Sequence, residues 1–533
     1  MSAPQSEIHI LKGLRIDNRY INTLYFENAT EQYNYFVSKS VRHFTNYTYL
    51  RKSWSIKVNA TMETATGWNY LMFRNPGSKW WYYFITNIEY INDETVELFL
   101  EMDVIQSYLF DFHFNETFIE RTHVTNDGLG KNNVPEDLEF GELVSCNVAE
   151  TTELNDLCIL VLTSVVPSWD NTNNTVGGTS EPLGRKLNNI FSGLAVIYVD
   201  MSNWDKLATA LRESTEFNEG VVCMWVFPKA LVGYNHNEHD EVFYSPYGNK
   251  SFTVTSKRPD TLGGGYVPRN KKLYNYPYNS LYVTNNAGSC GIYRYEMFGD
   301  PESIVFKVTG AISPESSPYM YPLNYKNNQR AYEEGVSLPS YPTCAWNSDT
   351  YKLWLAQNQN TQAVESAQGY GKIIGGAIAG VAGLATGNLA VAGIGGTMLL
   401  TGAQQIANQM AQKADKDVQP PEAKGNFSAS TNIVAGFHKF TLIQKTVSAG
   451  WAEKVDNYFD MYGYRVNHRD VPNLRARQHF TYIKTVGANI YGNIPNDDLQ
   501  KIVNIFDNGI TLWSNHDNVG DYSLSETNSI IGD

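Results

Sequence analysis

The first 125 residues of the chain alternate between apolar and polar positions, as half-buried strands do. Examples are SWSIKVNA from Ser53, WWYYFITNIEY from Trp80 and TVELFLEMDVI from Thr95. Between 156 and 310 the pattern changes to short, almost wholly apolar runs, namely LCILVLTSVV, LAVIYV, VVCMWVF and SIVFKV, separated by Asn-, Gly- and Pro-rich segments. These runs predict the core strands of a second β-rich domain.

Helical spacing occurs in three places. SNWDKLATALRES from Ser202 and AEKVDNYFDMYGY from Ala452 each carry an apolar stripe, which predicts helices that pack on a core. A last helix is expected after Asn496, because an acidic first turn follows Pro495 and Gly509 stands where a C-terminal cap belongs. FHKFTLIQKTV from Phe437 predicts a further strand.

One long segment follows neither pattern. Residues 373–412 contain no charged side chain, and Gly387-Asn388 divides the apolar part into arms 373–386 and 389–401. As a helix each arm reaches only about 20 Å, short of the roughly 30 Å hydrocarbon core of a bilayer. Glycines four residues apart let helices approach closely, so a helical hairpin that associates with copies of itself is the sharper hypothesis.

The helix-packing glycines are Gly371, Gly375, Gly376, Gly380, Gly383 and Gly387. The apolar positions expected to enter a membrane are Ile373, Ile374, Ile378, Val381, Leu384, Leu389, Val391, Ile394, Met398, Leu399 and Leu400.

The alternative for this segment is a buried Gly/Ala-rich helix pair or a flexible linker. Ten glycines between 371 and 402 argue against a soluble helix pair, since each costs roughly 1 kcal/mol relative to alanine inside a helix. An exposed apolar segment is also an aggregation liability. We therefore expect it to be stored inside an assembly until a trigger exposes it.

Charge and cysteine content narrow the function classes. The chain has 533 residues, with 41 Lys and Arg against 55 Asp and Glu, so its net charge is −14. Such an acidic protein has no electrostatic footprint for stable nucleic-acid binding. Five widely spaced cysteines without a C-x-x-C pair suggest neither a disulfide framework nor a thiolate zinc site. The N-terminus shows no secretory signal, and synthesis in a reducing cytosol is expected.

No catalytic signature is present. GLGK at 128–131 lacks the first glycine spacing and the Ser/Thr of a phosphate loop. His236, Glu238 and His239 do not have the helical spacing of a metal site, and the glycines at 263–265 open no evident helix. We expect no enzyme activity, no metal and no cofactor.

Long blocks at both ends of the chain resemble the distal tail-tube, or tail-knob, proteins of small short-tailed phages of the phi29 type. The blocks are EQYNYFVSKS from Glu31, KWWYYFITNIEY from Lys79, EMDVIQSYLFDFHFNETFIERTHV from Glu101, GYRVNHRDVPNLRARQHFTYIKT from Gly463 and FDNGITLW from Phe506. With the glycine-rich segment, the similarity covers about the first 125 and the last 170 residues. The residues of these blocks that resemble the family's tube motifs are Tyr33, Asn34, Asp103, Pro472, Asn473, Leu474, Arg475, Asp507, Asn508, Gly509 and Trp513.

The resemblance implies a fold that is mainly β with minor α. Tail-tube-like β domains would be built from 1–125 and 425–533, a β-rich knob from 126–355, and a glycine-rich helical hairpin with its linker from 356–424. It further implies a homohexamer in the virion tail, made in the host bacterial cytoplasm, with the lower-collar (proximal tail) protein and tail-tip proteins as neighbours.

The family resemblance also implies a route for DNA. The six glycine-rich loops would plug the lumen, then emerge and form a pore in the host cytoplasmic membrane, while viral DNA passes without stable binding. A lumen that carries negative charge would repel the passing DNA and lower friction. Two other classes stay open at this point: a polysaccharide-binding or envelope-degrading tail protein, and a pore-forming toxin. The absent export signal and the tail-like terminal blocks count against the toxin.

Overall fold

The computed structural model describes residues 6–47, 54–182, 186–187, 190–234, 242–341, 343–346, 348, 427–428 and 439–531. They fall into two compact units. The first lies within Met1–Glu142, Gly264–Tyr278 and Val447–Asp533, and the second within Leu143–Gly263 and Asn279–Thr446. The first unit thus continues past the expected boundary at 125 and takes in 264–278 from the range assigned to the knob. The assignment of tube and knob domains to these ranges stays a prediction.

The first unit contains three sheets, whose strands are numbered here in chain order along the whole chain. The six-stranded sheet has the order β3-β1-β5-β6-β7-β4, with β1 Ser6–Lys12, β3 Ser40–Tyr47, β4 Ser55–Asn59, β5 Trp68–Arg74, β6 Trp81–Asn92 and β7 Thr95–Met102. The five-stranded sheet has the order β2-β34-β32-β9-β31, with β2 Asn22–Leu24, β9 Thr117–Thr122, β31 Tyr464–Asp470, β32 Phe480–Val486 and β34 Ile510–Trp513. A small ladder joins β8 Phe112–Phe114 to β33 Ile490–Gly492.

The helices of the first unit are α1 Ala29–Ser38, α2 Met62–Ala65, α3 Val104–Tyr108, α6 Ala449–Tyr462 and α7 Asn496–Asn508. The expected last helix is confirmed: Asp497 and Asp498 lie in its first turn, and Gly509 ends it with φ +90°. The expected helix from Ala452 is likewise confirmed as α6, with Val455 and Phe459 buried.

The second unit contains three larger sheets. The four-stranded sheet has the order β10-β30-β22-β23, with β10 Leu143–Glu150, β22 Asn279–Thr284, β23 Cys290–Tyr293 and β30 Thr441–Val447. The six-stranded sheet has the order β19-β16-β11-β17-β28-β29, with β11 Leu157–Thr163, β16 Ala195–Asp200, β17 Val221–Pro228, β19 Phe243–Tyr244, β28 Thr343–Ala345 and β29 Phe427–Ser428. The third sheet runs β21-β24-β25-β26, with β27 also on β25; these are β21 Ser251–Ser256, β24 Ile304–Thr309, β25 Tyr319–Tyr325, β26 Asn328–Arg330 and β27 Val336–Ser337.

The second unit also contains short hairpins, two α-helices and short 3₁₀ helices such as Met201–Asn203. The hairpins pair β12 Val166–Asp170 with β13 Thr175–Ser180, β14 Lys186–Leu187 with β15 Ile190–Phe191, and β18 Val232–Tyr234 with β20 Pro246–Asn249. The helices are α4 Trp204–Glu213, which confirms the expected helix from Ser202, and α5 Thr215–Gly220. The fold is mainly β with minor α, as the sequence predicts.

Strand periodicity explains why each unit has two apolar clusters. In β5, Tyr70 and Met72 pack into one cluster while Leu71 and Phe73 pack into the other, because successive side chains point to opposite faces. Every residue of β11 is buried, since this strand is central in its sheet and covered on both sides. The wholly apolar run in the sequence is therefore the signature of a doubly covered strand.

Candidate functional site

The residues that resemble the family's tube motifs lie in the first unit, around one apolar core. Trp513 on β34 is fully buried, and its indole Nε1 donates to Asn22 Oδ1 at 2.8 Å. Its ring lies 4.6 Å from the ring of Phe480 and 5.4 Å from that of Tyr522. Because Asn22 lies near the N-terminus on β2, the Trp513 side chain joins the two ends of the sequence.

Asp103 has a structural role in the same core. It is fully buried, caps α3 by accepting from the N–H of Gln106 at 3.1 Å, and accepts from the Tyr70 hydroxyl at 2.8 Å. Burial raises the pKa of Asp103 to about 6. Gln106 in turn donates to Thr23 Oγ1 at 3.1 Å and to the carbonyl of Leu24 at 2.7 Å. The hydrogen bonds of Gln106 therefore hold α3 against β2.

Asp507 and Gly509 fix the end of α7 to β32. The Asp507 carboxylate accepts from Thr485 Oγ1 at 2.7 Å and from the N–H groups of Gly487 and Ala488 at 3.0 and 3.1 Å. Gly509 has φ +90°, and a Cβ there would lie 2.1 Å from the Tyr482 hydroxyl oxygen. Only glycine fits this close approach without displacing the tyrosine.

The remaining motif residues fall into two groups. Some pack: the ring of Tyr33 stacks on Trp80 at 5.4 Å, Leu474 contacts the core and Pro472 is buried. Arg475 forms an ion pair with Glu27, and its N–H donates to Asn473 Oδ1 at 3.0 Å. Three are exposed, namely Asn34, Asn473 and Asn508. The buried members of this set therefore stabilise the fold of the first unit.

A carboxylate clamp that the sequence analysis missed holds 264–278 in the first unit. Asp456 on α6 is fully buried. It accepts from the Tyr266 hydroxyl at 2.9 Å, the N–H groups of Arg269 and Asn270 at 2.7 and 3.0 Å, and Asn270 Nδ2 at 2.7 Å. One turn later Asp460 pairs with Arg269 at 2.7 Å, and burial raises the pKa of Asp460.

A second buried charge lies beside this clamp. The Glu136 side chain is fully buried and contacts the Arg121 guanidinium and the Lys272 ammonium, and it also accepts from the N–H of Arg465 at 2.8 Å. Burial lowers the pKa of Lys272. This buried carboxylate and its two cationic partners hold the irregular segment around 136 against the five-stranded sheet, which contains Arg121 on β9 and Arg465 on β31.

His123, just after β9, uses both ring nitrogens. Nδ1 accepts from the N–H of Tyr482 at 2.9 Å, so the proton sits on Nε2, which donates to the carbonyl of Asp460 at 2.9 Å. Burial lowers the pKa of His123 to about 3, and the nearby guanidinium of Arg477 acts in the same direction. The imidazole is therefore neutral at neutral pH.

A weak sequence signal for the clamp existed. Asp456 and Asp460 are four residues apart on α6, beside the buried Val455 and Phe459, so two acids share the helix's packing side. The partners of Asp456 could not be read from the sequence, because they come from a segment 187 residues away in the case of Arg269. No short-range pattern marks such a contact.

Several expected features lie outside the described residues. The glycine-rich segment 373–412, with all its named apolar positions and glycines, is among them, as are His236, Glu238 and His239. Among the residues that are described, no helix is long and apolar enough to cross a bilayer, and no group of three His, Cys, Asp or Glu side chains is placed to hold a metal ion. Gly128 and Lys131 form a turn closed by a 3.1 Å hydrogen bond.

Comparisons with known proteins agree with the blocks at the chain ends. The profile of the C-terminal domain of the Bacillus phage phi29 tail knob protein gp9 matches residues 243–527, or 285 of 533, and that of the caudoviral major tail protein N-terminus matches 4–113. The chain is 26% identical to tail knob protein gp9 of Bacillus phage phi29 over 590 aligned residues, which cover 97% of this chain and 98% of the relative. It is 25% identical to tail knob protein gp9 of Bacillus phage B103, covering 98% of each.

A solved structure shows the same fold. The bacteriophage C1 tail knob protein gp12 superposes with a TM-score of 0.67 at 14% identity, covering 99% of this chain and 100% of that one. Since the phi29 profile alone spans more than half of the chain, the chain belongs to the family of phi29-type tail knob proteins, which are structural components of a phage tail and not enzymes.

Proposed function

We propose that the chain assembles as a homohexamer into the distal tail tube, or knob, of a short-tailed phage and serves as the conduit for DNA ejection. Family membership supports this, as does the joint construction of the first unit from both ends of the chain. Its neighbours in the virion are the lower-collar (proximal tail) protein and the tail-tip proteins. In this proposal the six copies surround one lumen.

The glycine-rich segment acts as plug and then as membrane pore in this proposal. The single observation that carries this part is the run 373–412 without a charged residue, in a chain of net charge −14. Its glycines at four-residue spacing suit close helix contact between six copies in lipid. Concealment in the lumen before infection protects the apolar side chains from aggregation. During ejection the segment then lies in the host cytoplasmic membrane.

Passage of DNA without stable binding follows from the charge. Counterion release, which drives most non-specific DNA binding, needs clustered Lys and Arg side chains. The excess of 14 acidic residues disfavours it. The full-length protein should therefore not retain double-stranded DNA in a filter-binding assay at physiological salt; salt-sensitive retention would contradict the conduit.

Dye release from lipid vesicles tests the membrane role. The double variant Ile378→Asp, Leu399→Asp puts one charge in each apolar arm. Each charge costs about 2.5–3.5 kcal/mol at the bilayer centre. The double variant should lose dye release, whereas Asn388→Asp, which changes only the division between the arms, should keep it. Electron microscopy of the wild type, the double variant and Asn388→Asp should show the same six-fold rings.

Deletion of 373–412 is the stricter version of this experiment. We expect rings without dye release. Undiminished release from the deletion variant removes the membrane role from this segment, and rings of another symmetry remove the hexamer. The two parts of the proposal can thus fail separately.

A further inference from the structure

The second unit contains a cavity of about 450 Å³, within the 300–1,000 Å³ range of small-ligand sites. Its floor is apolar and buried, formed by Leu281 on β22, Leu442 on β30 and the ring of Tyr295. The walls are polar or small, and two charged side chains lie among them. These other lining residues are Asn147, Ala149, Ser256, Lys257, Pro259, Asp260, Thr261 and Gln444.

Gln444 makes the back wall rigid. This side chain is 1% exposed and lies opposite Leu281 in the ladder between β30 and β22. Its Oε1 accepts from Asn147 Nδ2 at 2.5 Å and from Cys146 Sγ at 3.2 Å. Its Nε2 donates to the carbonyl of Thr261 at 3.1 Å and to Asn279 Oδ1 at 3.0 Å. All four hydrogen-bonding positions of the amide are used, so the wall is built before any ligand arrives.

The hydroxyl of Tyr295, unlike the amide of Gln444, has hydrogen-bonding positions that the other described residues leave open. The residue is 1% exposed and lines the cavity, and no hydrogen bond joins its hydroxyl to another described residue. Burial raises the pKa of Tyr295, so the hydroxyl keeps its proton and can donate. The Ser256 hydroxyl and the Lys257 ammonium, which line the same cavity, are likewise without a partner among the described residues.

The charges around the cavity balance. Arg258, next to the lining residues Lys257 and Asp260, forms ion pairs with Glu302 at 2.8 Å and with Asp260 at 3.7 Å. The cavity lining itself contains one cation, Lys257, and one carboxylate, Asp260. A ligand with net charge meets no complementary excess here, whereas a neutral ligand rich in hydroxyl groups meets donors and acceptors of both kinds.

We propose that this cavity binds a neutral sugar residue. One apolar face of a pyranose ring contacts the lining formed by Leu281, Leu442 and Tyr295. Its hydroxyl groups take the hydrogen bonds left open by Ser256, Lys257 and Tyr295. The binding is non-covalent, and it is independent of the tail-tube role proposed above.

Saturation-transfer NMR on the full-length protein tests the site, with glucose, galactose and N-acetylglucosamine as probes. At least one of them should give ring-proton signals. Tyr295→Phe removes only the open hydroxyl and should weaken binding about fivefold to tenfold. Ser256→Ala, at the half-buried end of β21, is a second variant with little risk to folding and should also weaken binding.

Tyr293→Phe is the matched control. Tyr293 is equally buried, but its hydroxyl donates to the carbonyl of Glu334 and it does not line the cavity, so the affinity should stay unchanged. The proposal is overturned if the wild-type protein is silent with all three sugars, if Tyr295→Phe binds as well as wild type, or if inorganic phosphate binds while the sugars do not.

Discussion

Acid should destabilise the first unit through one histidine, His123. In the folded chain its pKa is about 3, against 6.5 for an ordinary imidazole. An unfolded chain therefore takes up a proton below pH 6.5, whereas the folded chain does not until about pH 3. The stability that the neutral imidazole confers is complete above pH 6.5 and falls as the pH drops through this window.

The magnitude follows from the pKa difference. At pH 4.5 the unfolded histidine is 2.0 units below its pKa of 6.5, and each unit is worth about 1.36 kcal/mol. His123 alone should thus cost about 3 kcal/mol of the free energy of unfolding between pH 7.5 and pH 4.5. The cause of the low pKa is the burial of the imidazole, and the guanidinium of Arg477 acts in the same direction. A second ring proton on Nδ1 would also meet the N–H of Tyr482, which is a donor.

The assay compares wild type with His123→Asn, whose Oδ1 keeps an acceptor for the N–H of Tyr482. Urea unfolding is followed at both pH values by pulsed hydrogen exchange of the peptide that covers β32, which reports on the first unit. The variant should be less stable at pH 7.5 because the carbonyl of Asp460 loses its donor. It should also lose about 3 kcal/mol less than wild type on acidification. Carboxylates that titrate in the same range contribute equally to both proteins and cancel in this difference.

His468→Asn provides the control, since His468 on β31 is exposed and its variant should follow wild type at both pH values. Deuterium exchange at the imidazole C2 carbon, read by mass spectrometry, gives the pKa of His123 in the folded protein directly. A midpoint near 6.5, or equal acid sensitivity of wild type and His123→Asn, refutes the reasoning.

Two further predictions concern how the first unit is held together. Asp456→Asn places an amide against the N–H groups of Arg269 and Asn270 and should cost about 2–3 kcal/mol; trypsin should then cleave within 264–278 faster than in wild type, and an unchanged cleavage rate would show that the clamp contributes little. Gly509→Ala should lower Tm, because its φ is +90° and its Cβ meets the Tyr482 hydroxyl, at a cost above about 1 kcal/mol. Gly450→Ala, in α6 with nothing within 4 Å of the new Cβ, should leave Tm equal or higher; equal Tm losses for both glycines would contradict the steric argument.

Short-range patterns predicted much of the fold. The alternation around Ile56 and Val58 reappears as β4 with both side chains buried, and the run from Leu157 becomes a strand buried on both faces. The last helix begins at Asn496 as expected. In each case the information is local, because strand and helix periods are properties of neighbouring positions.

Contacts between distant segments could not be predicted in the same way. The sequence places 264–278 in the middle of the chain, and contacts such as those with Asp456 and the ion pair of Arg269 with Asp460 show that it belongs with the termini. The cavity around Tyr295 is assembled from five separate stretches of the second unit. Its defining property is a hydroxyl that no other described residue hydrogen-bonds, and a sequence does not record which polar groups are left unpaired.

The position of β34 affects how the protein is synthesised. This strand lies between β2, to which it is parallel, and β32. At about 5–20 residues per second, a ribosome needs on the order of 25–100 s after releasing β2 to deliver Ile510–Trp513. A nascent chain therefore carries an unfinished sheet for nearly the whole of translation. A chain cut short by a nonsense codon or by proteolysis before Ile510 lacks the strand that joins its two ends, so its five-stranded sheet cannot be completed.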